Sequence, residues 1–439
     1  MKTISHACFQ ALRALSAGVT WLVRSHLRSF LLLFLLSFLP RLNELGHIPA
    51  SWLIPNADRE LGAIAISLMQ TGRFADPYAL PTGPTAHLPP LYPFMVSLIY
   101  RELGLTPAAG YAAHLLIAAA ASVLYGLLPW IANQFGLGRE AGFLGGVAAA
   151  LVDRQWYNHA EYIAAIALAL LLVEFLRRWT GRRVAWSRSL LLGLAIGTAF
   201  HLQPALLSVV VGCFAFELWW IRARRNSSSV AVCALGILVA CIPWAWRDYA
   251  TFHSLFFVRS NLGLELRMGN HQGAAATFEE MDARPYTHYQ HPTLLSSEAA
   301  MVRDLGEVEY MHLAGQEALG WIVAHPMEFL SLTLQRFANF WGGPLHRPQA
   351  AIGVITLTLF ALWGLWISLQ TLTTPQRAVF IIPLVTYPLI YYLVAYMPDY
   401  RVPIDWILFV LAGSLAWKGI SRFGSGHLMA SPGGPIPTA

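Results

Sequence analysis

The chain has 439 residues, of which 56% are hydrophobic and only 12% are charged, and its net charge is +6. Soluble globular proteins carry about 25% charged residues, so this composition excludes a soluble domain and predicts an all-α, polytopic integral membrane protein. The positive charge does not indicate nucleic-acid binding, because the basic residues form short clusters at the ends of apolar segments, where they set membrane orientation.

The N-terminal residues 1–28 form a basic and partly amphipathic lead, in which Trp21 and Leu22 are placed to lie in the membrane interface. No small-residue cleavage pattern follows the first apolar run, which predicts an uncleaved first span behind a cytoplasmic tail. A helix of about 20 apolar residues crosses the hydrocarbon core, and on that measure the chain contains about 10 to 12 spans. The predicted spans are residues 29–45, 108–132, 140–153, 159–176, 189–204, 205–221, 229–246, 350–370, 377–397 and 402–419, with a shorter candidate at 88–103.

Two arginine clusters, within residues 177–188 and 222–225, give the orientation of these spans. Basic clusters stay on the cytoplasmic side, so residues 247–325 and the first loop are expected on the outer side. An odd number of crossings must then separate the first loop from the first cluster, yet four candidate segments lie between them. We therefore expect that either 88–103 or 140–153 does not cross the bilayer completely.

The predicted organisation has five parts, with membrane segments on both sides of one long polar outer region. The parts are a cytoplasmic basic lead (1–28), an N-terminal transmembrane module whose first outer loop carries the candidate catalytic residues (29–246, loop 46–88), an outer-side region with surface helices (247–341), C-terminal transmembrane helices (342–422) and a disordered tail (423–439). In the outer region the spacing predicts a helix from Ser296 to Ala324, and His325-Pro326 ends it and begins another over 327–341.

The first outer loop contains Asp58-Arg59-Glu60 directly after the first span, followed by the proline-rich segment 81–93. A carboxylate here costs little if it faces water and several kcal/mol if it faces lipid, so the pair indicates a wet site beside the bilayer. A purely structural alternative is that the carboxylates only cap the helix that begins near Glu60, because acidic residues favour a helix N-terminus.

Four segments occur in order along the chain. They are the acidic motif, a Gly-Pro-Thr-Ala-x-Leu-Pro-Pro-x-Tyr-Pro stretch from Gly83 to Pro93, an Arg-Asp-Tyr at 247–249, and Tyr400-Arg401-Val402-Pro403 before the last span. Together they resemble the C-type membrane glycosyltransferases, the superfamily of the bacterial aminoarabinose transferases and the protein O-mannosyltransferases, and most closely the family-39-like bacterial proteins. The likeness covers most of the chain, from about Asn43 to Ala416.

The resemblance implies an enzyme of a bacterial inner membrane that moves a sugar from a polyprenyl phosphate to a lipid, glycan or protein acceptor on the outer side. In this superfamily the acidic motif is often Asp-Glu or Asp-x-Asp, whereas this chain has Asp58-Arg59-Glu60. The resemblance therefore implies that the catalytic base is Asp58 or Glu60, and it leaves open which of the two acts.

Such a reaction needs a base and a cation. A carboxylate takes the proton from the attacking acceptor group, and the lipid phosphate that leaves needs a positive partner in a low-dielectric setting. The candidate cations on the outer side are Arg247, Arg259, Arg267, Arg284, Arg336, Arg347 and Arg401. Arg259 and Arg401 are favoured because each lies in a resembling segment beside an apolar span, although anchoring at the membrane interface is the alternative role for each.

Other polar residues are candidates for binding the sugar because they lie close in sequence to these cations or to the acidic loop. The predicted substrate-binding set is His87, Arg259, Asn261, Glu265, Asn270, Tyr400 and Arg401. A second acidic site would combine Asp153, His159 and Glu161, which flank a short apolar segment. His201 and Gln203 lie in an apolar run and are expected to form a hydrogen bond between helices.

No required cofactor is predicted, because hard cations need several oxygen ligands and only Asp58 and Glu60 are clearly placed to supply them. A divalent cation is the open alternative. A transporter or lipid flippase is the main alternative function and would use Asp58, Glu60 and Asp153 for proton coupling. It predicts charged residues inside the spans and symmetry between the two halves, and neither is evident in the sequence. A non-catalytic scaffold for envelope assembly is the third hypothesis.

Overall fold

The computed structural model describes residues 2–57, 59–152, 160–181, 185–221, 227–282 and 291–425. Regular structure in these ranges is helical, apart from two isolated β-bridges that pair Ala75 with Pro84 and Thr277 with Tyr396. The predicted all-α class is therefore confirmed. Residues 182–184 of the first arginine cluster, the whole of the second cluster (222–225) and the tail beyond residue 425 lie outside the described residues.

The N-terminal half contains ten helices within the described ranges. They are α1 (Lys2–Val23), α2 (His26–Gly46), α3 (Glu60–Thr71), α4 (Leu91–Leu103), α5 (Pro107–Gln134), α6 (Arg139–Val152), α7 (Glu161–Thr180), α8 (Trp186–Phe200), α9 (Leu206–Ile221) and α10 (Ser227–Phe252). The start of α2 is fixed by Ser25, whose hydroxyl accepts a hydrogen bond from the Arg28 amide at 3.3 Å, a usual N-cap arrangement.

The remaining helices lie in the segment predicted to be on the outer side (247–341), called the outer region for that prediction, and in the C-terminal part. The outer region contains α11 (Leu262–Gly269), α12 (Phe278–Asp282), α13 (Ser296–Leu305), α14 (Glu307–Ala324) and α15 (Pro326–Gly342), and the C-terminal part contains α16 (Pro348–Leu369), α17 (Thr374–Thr386) and α18 (Val402–Ser425). The helix predicted over 296–324 is broken between α13 and α14 at Gly306, which has a φ of 84°. Glycine adopts this left-handed conformation without steric cost, so the chain can change direction there.

Among the residues that the structure describes, five helical segments are long and apolar enough to cross a membrane by length and composition. They are His26–Gly46, Pro107–Gln134, Ser228–Phe252, Pro348–Leu369 and Pro398–Arg422, and a shorter apolar helix covers Leu206–Trp220. Large apolar side chains on two of them, including Trp246 and Trp366, are about 70% exposed on the protein surface, as expected for contact with lipid. The protein is thus a polytopic helical membrane protein.

Several predicted spans differ from simple crossings. α4 has 13 residues and α6 has 14, so each is about 20 Å long and shorter than a hydrocarbon core of about 30 Å. The predicted span 377–397 is not one continuous α-helix, because α17 ends at Thr386 and a 3₁₀ segment follows from Tyr387 to Tyr392. Pro388 in that segment has no amide hydrogen to continue an α-helical ladder, which explains the change of helix type.

Small residues bring the membrane helices together. α18 packs on α6 and α16, α5 packs on α2 and α6, and α8 packs on α10. A side-chain carbon on Gly413 of α18 would collide with the Ala141 carbonyl of α6, and one on Gly145 of α6 would collide with the Phe409 carbonyl of α18. Close contact between helix backbones replaces the hydrophobic driving force that lipid cannot supply.

A buried ion pair joins α7 to α9. The Arg178 guanidinium donates two hydrogen bonds to the Glu217 carboxylate, at 3.1 Å from Nε and 2.5 Å from Nη2. Its Nη1 also donates to the Ser189 hydroxyl of α8 at 2.8 Å. Since removing one partner of a buried ion pair strands the other, this pair holds three helices in register.

Candidate active site

The first outer loop folds back over the start of α3. Gly72 ends α3 in a left-handed conformation with a φ of 71°. The Asp76 carboxylate then accepts hydrogen bonds from the amides of Thr82 at 2.9 Å and Gly83 at 2.8 Å, which closes the loop. The Thr85 amide donates to the Phe74 carbonyl at 3.0 Å. These bonds bring the proline-rich segment, and His87 within it, back to the first turn of α3.

Glu60, His87 and His291 form the centre of the site. The Glu60 Oε1 atom lies 4.0 Å from His87 Nε2 and 3.8 Å from His291 Nε2, and it accepts a hydrogen bond of 2.7 Å from the Thr293 hydroxyl. His87 is buried, whereas the Glu60 side chain is 26% exposed. Of these residues, Glu60 and His87 were predicted from the sequence and His291 and Thr293 were not.

Burial and hydrogen bonding set the charge of this centre. Burial lowers the pKa of His87 to about 3 and also lowers the pKa of His291, while the nearby Glu60 carboxylate opposes both shifts. Burial raises the pKa of Glu60, whereas a positive charge on His87 or His291, when either is protonated, and the hydrogen bond from the Thr293 hydroxyl lower it, and the net direction is downward. At neutral pH the site therefore holds one carboxylate facing two neutral imidazoles.

Hydrogen bonds also indicate where the imidazole protons lie. The Thr293 amide donates to His291 Nδ1 at 3.1 Å, so a neutral His291 carries its proton on Nε2, the atom that faces Glu60. The phenol of Tyr78 lies 3.0 Å from His87 Nδ1. The second contact allows either tautomer of His87, because a phenol donates or accepts.

The three central groups also match a metal-ligand set. One ligand atom from each of Glu60, His87 and His291 lies within 4.8 Å of the others. Two imidazoles and one carboxylate with an open fourth position suit zinc. Ligation by His291 would require its Nε2 proton to leave, against the hydrogen bond that Thr293 donates to Nδ1. The sequence identified two carboxylates as oxygen ligands and missed both imidazoles.

Arg259 contacts His87 from the other side and brings two further predicted residues with it. Its Nε donates to the His87 carbonyl at 2.9 Å, and its Nη2 lies 3.6 Å from the Glu265 carboxylate. The side-chain amide of Asn261 donates to the same carboxylate at 2.7 Å. Burial raises the pKa of Glu265, and Arg259 opposes that shift. His87, Arg259, Asn261 and Glu265 thus form one connected group with Glu60.

The residue before Arg259 has an unusual backbone. Val258 has a φ of 61° and is buried, and its carbonyl accepts a hydrogen bond from the Trp244 indole at 3.1 Å. A β-branched residue in the left-handed region is a genuine outlier that costs about 1 to 3 kcal/mol and persists only when its surroundings enforce it. The strained turn directs the Arg259 side chain towards His87.

An aromatic wall completes the group. Tyr400 stacks on Tyr391 with ring centroids 4.4 Å apart, and its phenol lies within electrostatic range of Glu265 and Arg259. The Tyr391 phenol lies within electrostatic range of Glu161 at the start of α7. Tyr400 and Tyr391 therefore lie near Arg259 and Glu265, and the Tyr391 phenol is also near Glu161. Of the predicted second acidic site, Asp153 and His159 lie outside the described residues, as does Asp58 of the first loop.

Two predicted binding residues lie in the supporting structure instead. Arg401 is buried, and it donates to Asp405 at 2.6 Å and to the Phe340 carbonyl at 3.1 Å. Asn270 is also buried, and its side-chain amide donates to the Leu393 carbonyl at 2.9 Å. Arg401 thus ties the start of α18 to α15, and Asn270 ties the residue after the 3₁₀ segment to the end of α11.

The other candidate cations are held by protein groups. Arg247 donates to the Thr85 carbonyl at 2.7 Å and the Phe74 carbonyl at 2.9 Å. Arg336 donates to Asn270 at 3.1 Å and Leu393 at 2.9 Å. The remaining contacts are Arg267 with Glu298 and Glu317, and Arg347 with Glu279. Arg284 is outside the described residues. Among the cations that the structure describes, Arg259 is the one that contacts the central group while keeping 25% of its side chain exposed.

His201 differs from its prediction. Within the described contacts, the His201 side chain makes no hydrogen bond to another helix. Its Nδ1 lies 2.7 Å from the Gly197 carbonyl of its own helix. The link to another element comes from the main chain, where the His201 carbonyl accepts from the Leu91 amide at 3.1 Å. Gln203 is buried beside it.

Comparison with known proteins gives one structural likeness. No family model matches the chain, and no curated protein matches it. The crystal structure of ArnT from Cupriavidus metallidurans bound to undecaprenyl phosphate is similar, with 14% sequence identity and a TM-score of 0.37. The alignment covers 92% of this chain and 79% of that one.

Proposed function

We propose that the protein is a membrane glycosyltransferase that moves a sugar from a polyprenyl phosphate to an acceptor on the outer side of the membrane. The observation that carries this proposal is the joint placement of an ionised carboxylate and a partly exposed arginine on the two sides of His87. Glu60 lies 4.0 Å from the His87 imidazole, and Arg259 donates to the His87 carbonyl at 2.9 Å. Base and cation are the two groups that sugar transfer from a lipid phosphate requires.

Glu60 is the base in this proposal. The acceptor hydroxyl or amine attacks the anomeric carbon, and its proton passes to the Glu60 carboxylate as the new bond forms. Because the pKa of Glu60 is below 4.5, this carboxylate is ready to accept a proton at neutral pH. The Thr293 hydroxyl holds one of its oxygens at 2.7 Å and so fixes its direction. Asp58 stays the alternative base.

Arg259 receives the leaving phosphate. The bond between the anomeric carbon and the phosphate oxygen breaks, and its electron pair stays on that oxygen as negative charge. A guanidinium stabilises such charge with two parallel hydrogen bonds, and it does so most strongly where water is excluded. Asn261 and Glu265, joined at 2.7 Å beside Arg259, are placed to bind sugar hydroxyls.

The polyprenyl chain needs an apolar path to this site. α10 and the chain just after it form an apolar surface, lined by Ile242, Trp246, Tyr249 and Leu255. Arg247 lies between two of these residues and bonds the Thr85 carbonyl, two residues from His87. We place the lipid tail along this surface. In this proposal residues 247–341 form the outer region, and residues 29–246 and 342–422 form the membrane parts.

The test is transfer by the purified protein in detergent, with polyprenyl phosphate sugars as donors and release of polyprenyl phosphate as the readout. Glu60→Gln should lower turnover by about two to four powers of ten while donor binding is retained, because only the base is lost. The site as proposed needs no metal, so wild-type turnover should survive a chelator. Near-normal transfer by Glu60→Gln would remove Glu60 from the mechanism, and a wild type that transfers from no donor would favour the transporter.

A further inference from the structure

Glu307 is a buried carboxylate that the proposed reaction does not use. It is the first residue of α14, follows Gly306 and is only 5% exposed. Burial raises the pKa of Glu307, and the hydrogen bonds it accepts oppose that shift. A buried carboxylate without a role in the reaction needs a reason, because its desolvation is costly unless several donors compensate.

Its hydrogen bonds reach both segments that carry the proposed site. The Ala86 amide donates to Glu307 Oε1 at 2.7 Å, and the Thr85 hydroxyl donates to Oε2. The Ser260 hydroxyl donates to Oε1 at 2.6 Å. One carboxylate thus joins the chain just before His87 to the chain just after Arg259.

The bonds continue from these donors to the site residues. The Thr85 hydroxyl also accepts from the His87 amide at 3.0 Å, so the group that Glu307 holds in turn orients the His87 backbone. The Ser260 amide donates to the Ala86 carbonyl at 3.0 Å, and Arg259 donates to the His87 carbonyl at 2.9 Å. A shift of Glu307 would therefore move His87 and Arg259 together.

We propose that Glu307 is a positioning residue that fixes His87 and Arg259 relative to Glu60. It acts through Thr85, Ala86 and Ser260. This inference rests on the proposed function only for its kinetic consequence, since the geometry it describes is tested without turnover.

Glutamine at position 307 is the sharpest probe because it keeps the length of the side chain. Its amide nitrogen must face either the Ala86 amide, where two donors would meet, or the Thr85 hydroxyl, which then loses its acceptor. Either arrangement disturbs the chain at 85–87. Glu217→Gln is the matched control, because Glu217 is an equally buried carboxylate that pairs with Arg178 between α7 and α9 and has no described contact with the site.

The first readout is the rate at which diethyl pyrocarbonate modifies His87, followed by mass spectrometry. His87 is 3% exposed, so the folded wild type should react slowly. In Glu307→Gln the rate should rise by about tenfold or more, whereas in Glu217→Gln it should stay near the wild-type rate. Thr85→Val provides a second route if Glu307→Gln does not fold, since it removes the same hydroxyl link, and Thr85→Ser should recover most of the protection.

The second readout is turnover with a polyprenyl phosphate sugar. Glu307→Gln should lower kcat about 10- to 100-fold, the usual effect of misplacing catalytic groups by about 1 Å. Unchanged His87 reactivity in both Glu307→Gln and Thr85→Val would overturn the positioning role, and so would an equal rise in Glu217→Gln. A selective rise in a protein that transfers from no donor would uphold the positioning role and reject the proposed function. Normal transfer together with unchanged His87 reactivity would uphold the proposed function and reject the positioning role.

Discussion

Glu60 and Arg259 contact opposite ends of one residue, and that shared contact makes the role of each testable. Arg259 keeps part of its guanidinium exposed beside the site, whereas the Arg401 side chain is 4% exposed and bonds Asp405 and Phe340. The two arginines were equivalent candidates in the sequence. Their surroundings now predict different effects of the same substitution.

Arg259→Ala should weaken donor binding and transfer together by about 10- to 100-fold, because a hydrogen bond to a charged group is worth about 1.5 to 3 kcal/mol. Arg259→Lys should restore only part of this loss, since an ammonium cannot make a two-pronged contact with phosphate. Arg401→Lys should lower the Tm and leave the donor affinity of the folded protein close to wild type. Donor titration and thermal unfolding in detergent measure both quantities, and the opposite pattern would assign the phosphate to Arg401.

The neutral histidines predict how stability depends on pH. The pKa of His87 falls from 6.5 to about 3 on folding because the side chain is buried. Between these values the unfolded chain binds a proton that the folded protein does not, so stability is lost as the pH falls below 6.5. One such group contributes about 1.4 kcal/mol per pH unit, and His291 shifts in the same direction.

His87→Gln should therefore reduce the slope of stability against pH between pH 6.5 and 4.5, because glutamine does not titrate, while the contribution of His291 persists. Glu60 contributes to the pH dependence of stability only below pH 4.5, where its lowered pKa leaves it ionised in the folded protein while it is protonated in the unfolded chain. Thermal unfolding in detergent across this pH range measures the slope. An identical slope in His87→Gln and the wild type would show that His87 titrates normally in the folded state.

Some of the site was accessible from the sequence and some was not. Glu60, His87, Arg259, Asn261 and Glu265 each lie in a segment with a recognisable local pattern, and the fold brings these segments together. His291 and Thr293 join the site only because the chain before α13 passes beside the start of α3. No local spacing links them to Glu60, so only the path of the whole chain reveals the contact.

At the scale of elements, the first turn of α3 depends on a close backbone contact. A side-chain carbon on Gly62 would collide with the carbonyl of Asn56, in the loop that leads to Glu60. By contrast, Gly320 in the middle of α14 has open space at the same position. The two glycines offer the same substitution with opposite expected results.

Gly62→Ala should lower the Tm and reduce transfer at least tenfold, because the loop must move and Glu60 moves with it. Gly320→Ala should raise stability by about 0.5 to 1 kcal/mol, since alanine favours a helix interior, and should leave transfer unchanged. Thermal unfolding and turnover of both variants test this pair. A Gly62→Ala protein as active as Gly320→Ala would mean that the loop tolerates the shift.

Helical spacing predicted most element positions and failed at breaks. The start of α3 at Glu60 and the change from α14 to α15 at His325-Pro326 follow from local signals. The 3₁₀ segment in the predicted span 377–397 does not, because hydrophobicity alone does not distinguish an α-helix from a tighter one. What stabilises that segment is a set of side chains far away in the sequence.

At the scale of the whole molecule, the orientation in the membrane remains a prediction from the arginine clusters. Single cysteines at Arg188 and Leu319, both exposed, would report the two sides in a background without the native cysteines. An impermeant reagent applied to intact cells should label position 319 and not position 188, because basic clusters stay in the cytoplasm. Labelling of position 188 alone would invert the orientation and move the proposed site to the cytoplasmic side.

The 3₁₀ turn also has a consequence for how the protein is made. The Leu393 carbonyl accepts from Asn270 and Arg336, and the Tyr396 amide donates to the Ala276 carbonyl at 2.9 Å. A bilayer offers no partners for such main-chain groups, so the insertion machinery cannot stabilise this stretch by passing it into lipid. Its partners leave the ribosome earlier. We therefore expect the predicted outer region to fold first, and the chain from the 3₁₀ segment onwards to be completed against a surface that is already in place.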